Sequence, residues 1–241
     1  MTVNIITIST GLKYSKSCLK MIESFKARLK SPDKIRFIVF TDNENLFLAD
    51  DVITVPAESL PRPLNTLLRF NYFLKIKDLF EPDDLIYYAD ADTLMNNDVY
   101  ISEIKPEAKD QYVTVKHPWA GDEYGNDFLL CKNEHSNAYL DRLKQYSQGC
   151  FFGAYAKSFY ELVEVCNKGV NDDLENRIIS VWHDESHLNK YLHDKKRKVL
   201  GKEYNVPYLN APNDYKDHWD IAKIFHYNQS DRRWDPNSIA K

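Results

Sequence analysis

Leu85-Ile86-Tyr87-Tyr88-Ala89-Asp90-Ala91-Asp92 decides how this chain is read. Five consecutive apolar residues mark a strand buried on both faces. The run ends in carboxylates at i and i+2, which leave the tip of an extended chain on the same side. Placed there, two aspartates can hold one hard divalent cation and leave coordination sites for phosphate oxygens and water. The same triplet also serves as an ordinary solvated turn. A second acidic cluster, Trp182-His183-Asp184-Glu185-Ser186-His187-Leu188-Asn189, follows about ninety residues later and favours a site. Together they point to an enzyme that grips a nucleotide diphosphate through a metal and works on the attached sugar.

Outward from that strand, the first half alternates strand and helix. Val3 to Ile8 is a β-branched run that turns through Ser9-Thr10-Gly11 into an amphipathic helix of about Ser15 to Leu29. Arg36 to Thr41 and Val52 to Val55 read as strands, and Pro56 to Pro63 as a turn. Asn65 or Thr66 then caps a helix with Leu68, Tyr72, Ile76, Leu79 and Phe80 on one side. Near-continuous apolar strands alternating with helices predict an α/β fold, its parallel strands covered on both faces. Ligands bind outside the carboxyl ends of such strands, where Ser9-Thr10-Gly11 and Asp90-Ala91-Asp92 lie.

The second half is less regular. Tyr112 to Lys116 reads as a strand followed by His117-Pro118-Trp119, and residues 119–148 as a long loop with local structure. Phe151-Phe152-Gly153 leads into a helix of about Ala156 to Asn167, and Ser186 to His193 forms a short helix. One domain is expected over 1–241: a nucleotide-binding half (1–92), an acceptor and donor-sugar half (93–222) and a flexible tail (223–241).

Composition narrows the function. A net charge of −4 argues against nucleic acid as the main partner. The basic run Lys195-Lys196-Arg197-Lys198 reads as a solvated helix end or turn. Seven glycines are too few to suggest a glycine-rich phosphate loop. Aromatic residues, 13% of the chain, suit sugar and base stacking and also fill cores. The four cysteines show no CxxC spacing, and Cys18 and Cys166 fall on apolar helix stripes, as in a reducing compartment. With no signal peptide and no window near the ~20 apolar residues of a membrane span, a soluble cytoplasmic protein without a membrane anchor is expected.

A cation on Asp90 and Asp92 would neutralise a departing diphosphate, and oxygen ligands favour Mn²⁺ or Mg²⁺ over zinc. Arg232-Arg233 either closes over the same phosphates or is simply solvated. Asp184 and Glu185, adjacent on a strand or turn, point apart, so one can bind the donor sugar while the other faces the anomeric carbon. There a carboxylate stabilises an oxocarbenium-like transition state, attacks as nucleophile, or takes the acceptor's proton. The same pair is equally at home as helix N-terminal dipole chemistry.

The segments Asn65-Thr66-Leu67-Leu68-Arg69-Phe70, Asp90-Ala91-Asp92, His117-Pro118, Gly149-Cys150-Phe151-Phe152-Gly153 and Trp182 through Tyr191 resemble glycosyltransferase family 6, in order over about 180 residues. That family includes the histo-blood-group A and B transferases and α-1,3-galactosyltransferase. The resemblance is to a bare catalytic domain, as in bacterial or phage-type members. It implies a GT-A fold, a single Rossmann-like mixed sheet with helices on both faces, and retaining α-1,3 transfer of a hexose from a UDP-sugar to an oligosaccharide or galactoside acceptor. By that likeness Ile8, Ser9, Thr10 and Tyr14 would line the uridine pocket, and Arg69 would reach toward the donor. Asp90-Ala91-Asp92 would meet the diphosphate, with Asp90 and Asp92 as metal ligands; many bacterial members carry Asn-x-Asn there, so metal dependence is expected here. His117 and Trp182 would contact the acceptor, His183 and Asp184 the donor sugar, and Glu185 would be the catalytic carboxylate, within reach of the acceptor. Gln148, Gly149 and Cys150 would stand where the family selects its donor. Cys150, larger than alanine, favours galactose or glucose over N-acetylgalactosamine. Arg232 and Arg233 match only loosely. The competing readings are a UDP-sugar hydrolase, a non-catalytic carbohydrate-binding protein, and a metal-dependent nuclease or phosphatase.

Overall fold

The computed structural model describes residues 1–120, 127–207 and 220–226. Its centre is a seven-stranded mixed sheet. Strands β1 (Thr2–Ser9), β3 (Lys34–Thr41), β4 (Val52–Pro56) and β5 (Leu85–Ala89) run parallel, as the apolar runs predict. On the other side of β5 lie β9 (Ser147–Tyr155), then β8 (Tyr112–Lys116), then β10 (Arg197–Leu200) at the edge. Strand β9 is antiparallel to both β5 and β8. A short strand β2 (Leu29–Lys30) pairs with β7 (Val99–Tyr100), which runs on into the short helix α4 (Ile101–Ile104). A three-stranded ribbon joins β6 (Thr93–Met95) to β12 (Ile224–His226) and β12 to β11 (Val206–Pro207).

Strand alternation sends side chains to two cores. Val3, Ile5, Phe37, Val39, Tyr87 and Ala89 face one side, where helix α1 (Leu12–Arg28) packs through Cys18, Met21, Ile22 and Phe25. Ile6, Ile38, Phe40, Ile86 and Tyr88 face the other, against Phe70 and Phe73 of α3 (Arg69–Leu74) and Phe159, Leu162 and Val163 of α5 (Ala156–Glu175). The α/β architecture with helices on both faces therefore follows from the pattern of the first half.

Six details differ from expectation. The helix expected from residue 65 to 80 is broken into α2 (Leu64–Leu67), α3 and a 3₁₀ turn Lys77–Leu79. Asn65 does not cap it; its Oδ1 accepts the Leu60 N–H (2.7 Å) and closes the preceding loop. Helix α5 runs eight residues further than expected, to Glu175. Residues 147–155, read as loop and helix approach, form the buried strand β9. Arg197 and Lys198 of the basic run enter edge strand β10, where Arg197 donates to the Gln145 carbonyl (2.9 Å), while Lys196, just before the strand, meets Asp110 (2.7 Å). Finally, residues 224–226, placed in the tail, are strand β12.

Candidate active site

Strand β5 delivers the acidic triplet. At its end the Asp90 N–H donates to the Cys150 carbonyl of β9 (2.9 Å), and the Thr93 N–H returns to the Asp90 carbonyl (3.0 Å). That turn leaves Asp90 half-buried and Asp92 buried. The Tyr88 hydroxyl donates to Asp90 Oδ1 (2.6 Å). The pairing of β12 with β6 sets His226 opposite Thr93, so its Nε2 lies 3.5 Å from Asp92 Oδ1 and 3.9 Å from Asp90 Oδ2. One ligand atom from each of Asp90, Asp92 and His226 falls within 4.8 Å of the others. Burial and the neighbouring Asp90 charge push the Asp92 carboxyl well up, and burial pushes His226 down. Two carboxylates and an imidazole converging in this way suit a divalent cation. The nitrogen donor moves the set away from the all-oxygen shell of Mg²⁺ and toward Mn²⁺.

The second acidic cluster reaches the same place through helix α6 (Asp184–Leu192), not through a strand or turn. His183, just before it, has φ 53° and ψ −124°, a conformation costing a non-glycine residue about 1–3 kcal/mol. Hydrogen bonds hold it there: Ser180 Oγ donates to the His183 carbonyl (2.7 Å), and the Trp182 N–H donates to Ser186 Oγ (3.1 Å). Asp184 and Glu185 thus occupy the first turn of α6, pointing back at β9.

Three backbone groups of β9 tie the two clusters together. Besides the Cys150 carbonyl held by Asp90, the Gly149 N–H donates to Glu185 Oε2 (2.7 Å) and the Gly149 carbonyl accepts from Arg69 Nη1 (2.7 Å). Gly149 packs directly on both side chains: a Cβ there would stand in van der Waals contact with Glu185 Oε2 (3.4 Å) and Arg69 Nη1 (3.5 Å). One turn along α6, Asn189 clamps β9 by accepting the Ser147 N–H and donating to the Ser147 carbonyl (both 2.8 Å). Arg69, buried beneath the site, lies 2.7 Å from Asp184 Oδ2 and 3.8 Å from Asp90 Oδ1, its guanidinium 4.5 Å from the Tyr88 ring centroid. Burial raises Asp184 to about 7 against the pull of Arg69. Burial also raises Glu185 to about 7, opposed by the Gly149 N–H.

The remaining expected residues surround this frame. Ile8 and Ser9 end β1 and Thr10 follows them, with the Ser9 side chain buried. Tyr14, on α1, receives a hydrogen bond from Arg62 (3.3 Å). His117 sits between the Trp119 and Tyr146 rings, each centroid 5.7 Å away, and burial beside His226 lowers it to about 4. Trp182 is 42% exposed on the rim, its indole N–H donating to the Phe128 carbonyl (3.3 Å). Gln148 and Cys150 flank Gly149, and both touch Asn205. Arg232 and Arg233 lie outside the described residues. Residue-by-residue reading missed His226 as a third donor, Asn189 as the clamp, Asn205, and Arg62, whose charge is felt at Asp92 and His183. No local signal marks them, since each depends on pairing between distant segments.

The model of Glycosyltransferase family 6 matches residues 73–217, a span holding both acidic clusters and the β9 crossbar. The O-antigen biosynthesis glycosyltransferase WbnI of Escherichia coli is 30% identical over 221 residues, covering 86% of this chain and 88% of that protein. The chain belongs to glycosyltransferase family 6. Its mixed sheet is that of a GT-A-like glycosyltransferase fold. This family 6 member is also 27% identical over 212 residues to the rat histo-blood group ABO system transferase 1, covering 83% of this chain and 59% of the relative. It is 23% identical over 217 residues to the chicken globoside alpha-1,3-N-acetylgalactosaminyltransferase 1, covering 85% of this chain and 61% of the relative. The glycosyltransferase thus spans about three-fifths of those two animal proteins. Among its described residues, no helix is long and apolar enough to cross a membrane.

Proposed function

We propose that this glycosyltransferase moves a hexose, galactose or glucose rather than N-acetylgalactosamine, from a UDP-sugar to a hydroxyl of an oligosaccharide or galactoside. In this reading the new bond is α-1,3, the anomeric configuration is retained, and a divalent cation is required. One observation carries it: Glu185 and the Asp90–Asp92–His226 group are anchored to adjacent residues of β9, Gly149 and Cys150. A diphosphate at the aspartates therefore sets its sugar beside the glutamate. The α-1,3 linkage is supported by the name of the globoside relative.

In this assignment Asp90, Asp92 and His226 hold the cation, which would offset the negative charge of the departing UDP. Ile8, Ser9, Thr10 and Tyr14 take the uridine; His183, Asp184, Gln148 and Cys150 surround the hexose; His117 and Trp182 meet the acceptor. Arg232 and Arg233 keep their proposed place over the phosphates. As the bond from anomeric carbon to phosphate breaks, Glu185 supplies negative charge beside that carbon. Retention arises in one of two ways. Glu185 attacks and is then displaced by the acceptor oxygen, or the acceptor oxygen enters on the face UDP leaves. In both the acceptor's proton passes to a base, a UDP phosphate oxygen in the second. His117, kept neutral by burial, accepts the Trp119 N–H at Nδ1 (3.2 Å), so its Nε2–H is left to donate to a sugar hydroxyl oxygen without bringing charge.

The test is product analysis by mass spectrometry with UDP-galactose, UDP-glucose and UDP-N-acetylgalactosamine, lactose-type and fucosylated acceptors, and Mn²⁺ or chelator. Acceptor-dependent UDP release, an α-linked product and loss of turnover in chelator are expected. Release indifferent to every acceptor would replace transfer with hydrolysis, and full activity in chelator would remove the cation.

A further inference from the structure

Asn205 belongs to neither acidic cluster, yet its side chain touches both residues assigned to donor selection. It is buried between the 3₁₀ turn Lys202–Tyr204 and β11. Its Nδ2 donates to the Lys116 carbonyl at the end of β8 (2.9 Å) and to Gln148 Oε1 (2.6 Å). Its Oδ1 accepts the Cys150 thiol (3.4 Å). The Lys116 contact orients the Asn205 amide, because a backbone carbonyl only accepts and so must face the NH₂. The thiol, the donor in its contact, agrees with that orientation. Gln148 must then present its oxygen to Asn205, which turns its own NH₂ the other way. Gln148 is half-buried, and that NH₂ makes no hydrogen bond among the described residues. It sits on β9 one residue before Gly149, the residue that holds Glu185.

We propose that Asn205 is a positioning residue for donor selection. It locks Gln148 so that an N–H donor faces the C2 hydroxyl oxygen of the hexose, the position where the two donors differ, and it fixes the Cys150 thiol as the wall against a bulkier C2 substituent. This rests on the donor-sugar reading of Gln148 and Cys150 given above. Without Asn205 the Gln148 amide can turn over and offer an acceptor in place of a donor. The Cys150 thiol, released, can take another rotamer and open the wall.

The decisive measurement is the ratio of kcat/KM for UDP-galactose to that for UDP-N-acetylgalactosamine. It is taken in wild type, Asn205→Ala, Gln148→Ala, the double variant and Asn205→Asp. The last keeps the side-chain size and the acceptor for Cys150 but cannot donate to Gln148, and it reads the same effect if Asn205→Ala does not fold. The ratio should fall about five- to tenfold in each single variant, the size of one uncharged hydrogen bond. The double variant should fall no further than either alanine single, as expected of residues acting through one another. An unchanged ratio with both donors slowed alike, or effects of Asn205→Ala and Gln148→Ala that simply multiply, would make Asn205 a packing residue and overturn the proposal. A wild-type enzyme that turns over no UDP-hexose would instead overturn the transferase reading, and this proposal with it.

Discussion

The two flanks of β5 contribute to the site by different means. On the β1–β3–β4 flank, parallel register alone brings the carboxyl ends into line. Ser9 pairs with Thr41, and both oxygens of Asp42, the next residue, accept the Gly11 N–H (3.0 Å each). On the other flank β9 runs antiparallel, so its first residues, not its last, meet the tip of β5. There Arg69 from α3, Glu185 and Asn189 from α6, and Asn205 from just before β11 bind backbone or side-chain groups of residues 147–150. A repeating backbone pattern tolerates side-chain change, whereas a frame of single polar contacts loses geometry with each contact removed. Substitutions on the β9 flank should therefore cost far more than their number suggests.

The largest break should come from Glu185→Gln, which keeps the Gly149 hydrogen bond but removes the charge. Turnover should fall about a thousandfold, within the range for loss of one catalytic group. Retention of more than a tenth of wild-type activity would place the reacting carbon elsewhere. Next, Gly153→Ala tests the β5–β9 register directly. Its Cβ would come within 2.4 Å of the facing Tyr87 ring and 2.6 Å of the Ile86 carbonyl, so chemical denaturation should show a loss of about 3 kcal/mol. A neutral substitution would mean the strands pair otherwise.

Asn189→Ala should cost about 2 kcal/mol, because the buried Ser147 N–H and carbonyl lose their clamp. Turnover should drop about tenfold as Glu185, one helical turn away, loosens. If stability falls and turnover does not, the clamp serves the fold alone. The gentlest probe is pH. With the Glu185 carboxyl raised from 4.5 to about 7, activity needing its ionised form should fall roughly tenfold per pH unit below 7. Stability runs the opposite way: a raised carboxyl favours the folded state most fully below about 4.5, and that contribution is lost as pH rises through about 7. Melting temperatures of wild type and Glu185→Gln should therefore diverge as pH rises from about 4.5 to about 7, with the variant the higher at pH 7. Parallel curves across that range would remove the buried-carboxyl explanation.

The contrast between flanks also marks what sequence reading recovers. The β1, β3, β4 and β5 strands, helix α1 and the placement of Asp90 and Asp92 follow from apolar runs and their spacing. Strand β9 was illegible because Ser147-Gln148-Gly149-Cys150 opens it with polar and small residues. Those residues bind the site instead of filling a core. The helix read over 65–80 breaks at Leu68, whose φ −93° and ψ 14° are not helical, though the apolar spacing continues unbroken. Of the expected stripe Tyr72 and Ile76 are buried and Leu79 is exposed, while Phe70 and Phe73, off that stripe, reach the core once the helix has broken.

By itself the sequence determined the sheet's parallel half, the two acidic clusters and the likeness to family 6, because each is written in neighbouring residues. Only the tertiary structure decided that His226 joins the aspartates, that Asp184 and Glu185 open a helix behind a strained His183, and that Asn189 and Asn205 hold β9. The reason is physical: these contacts join groups separated by roughly 40 to 130 residues, and their geometry exists only once the strand pairing that carries them has formed.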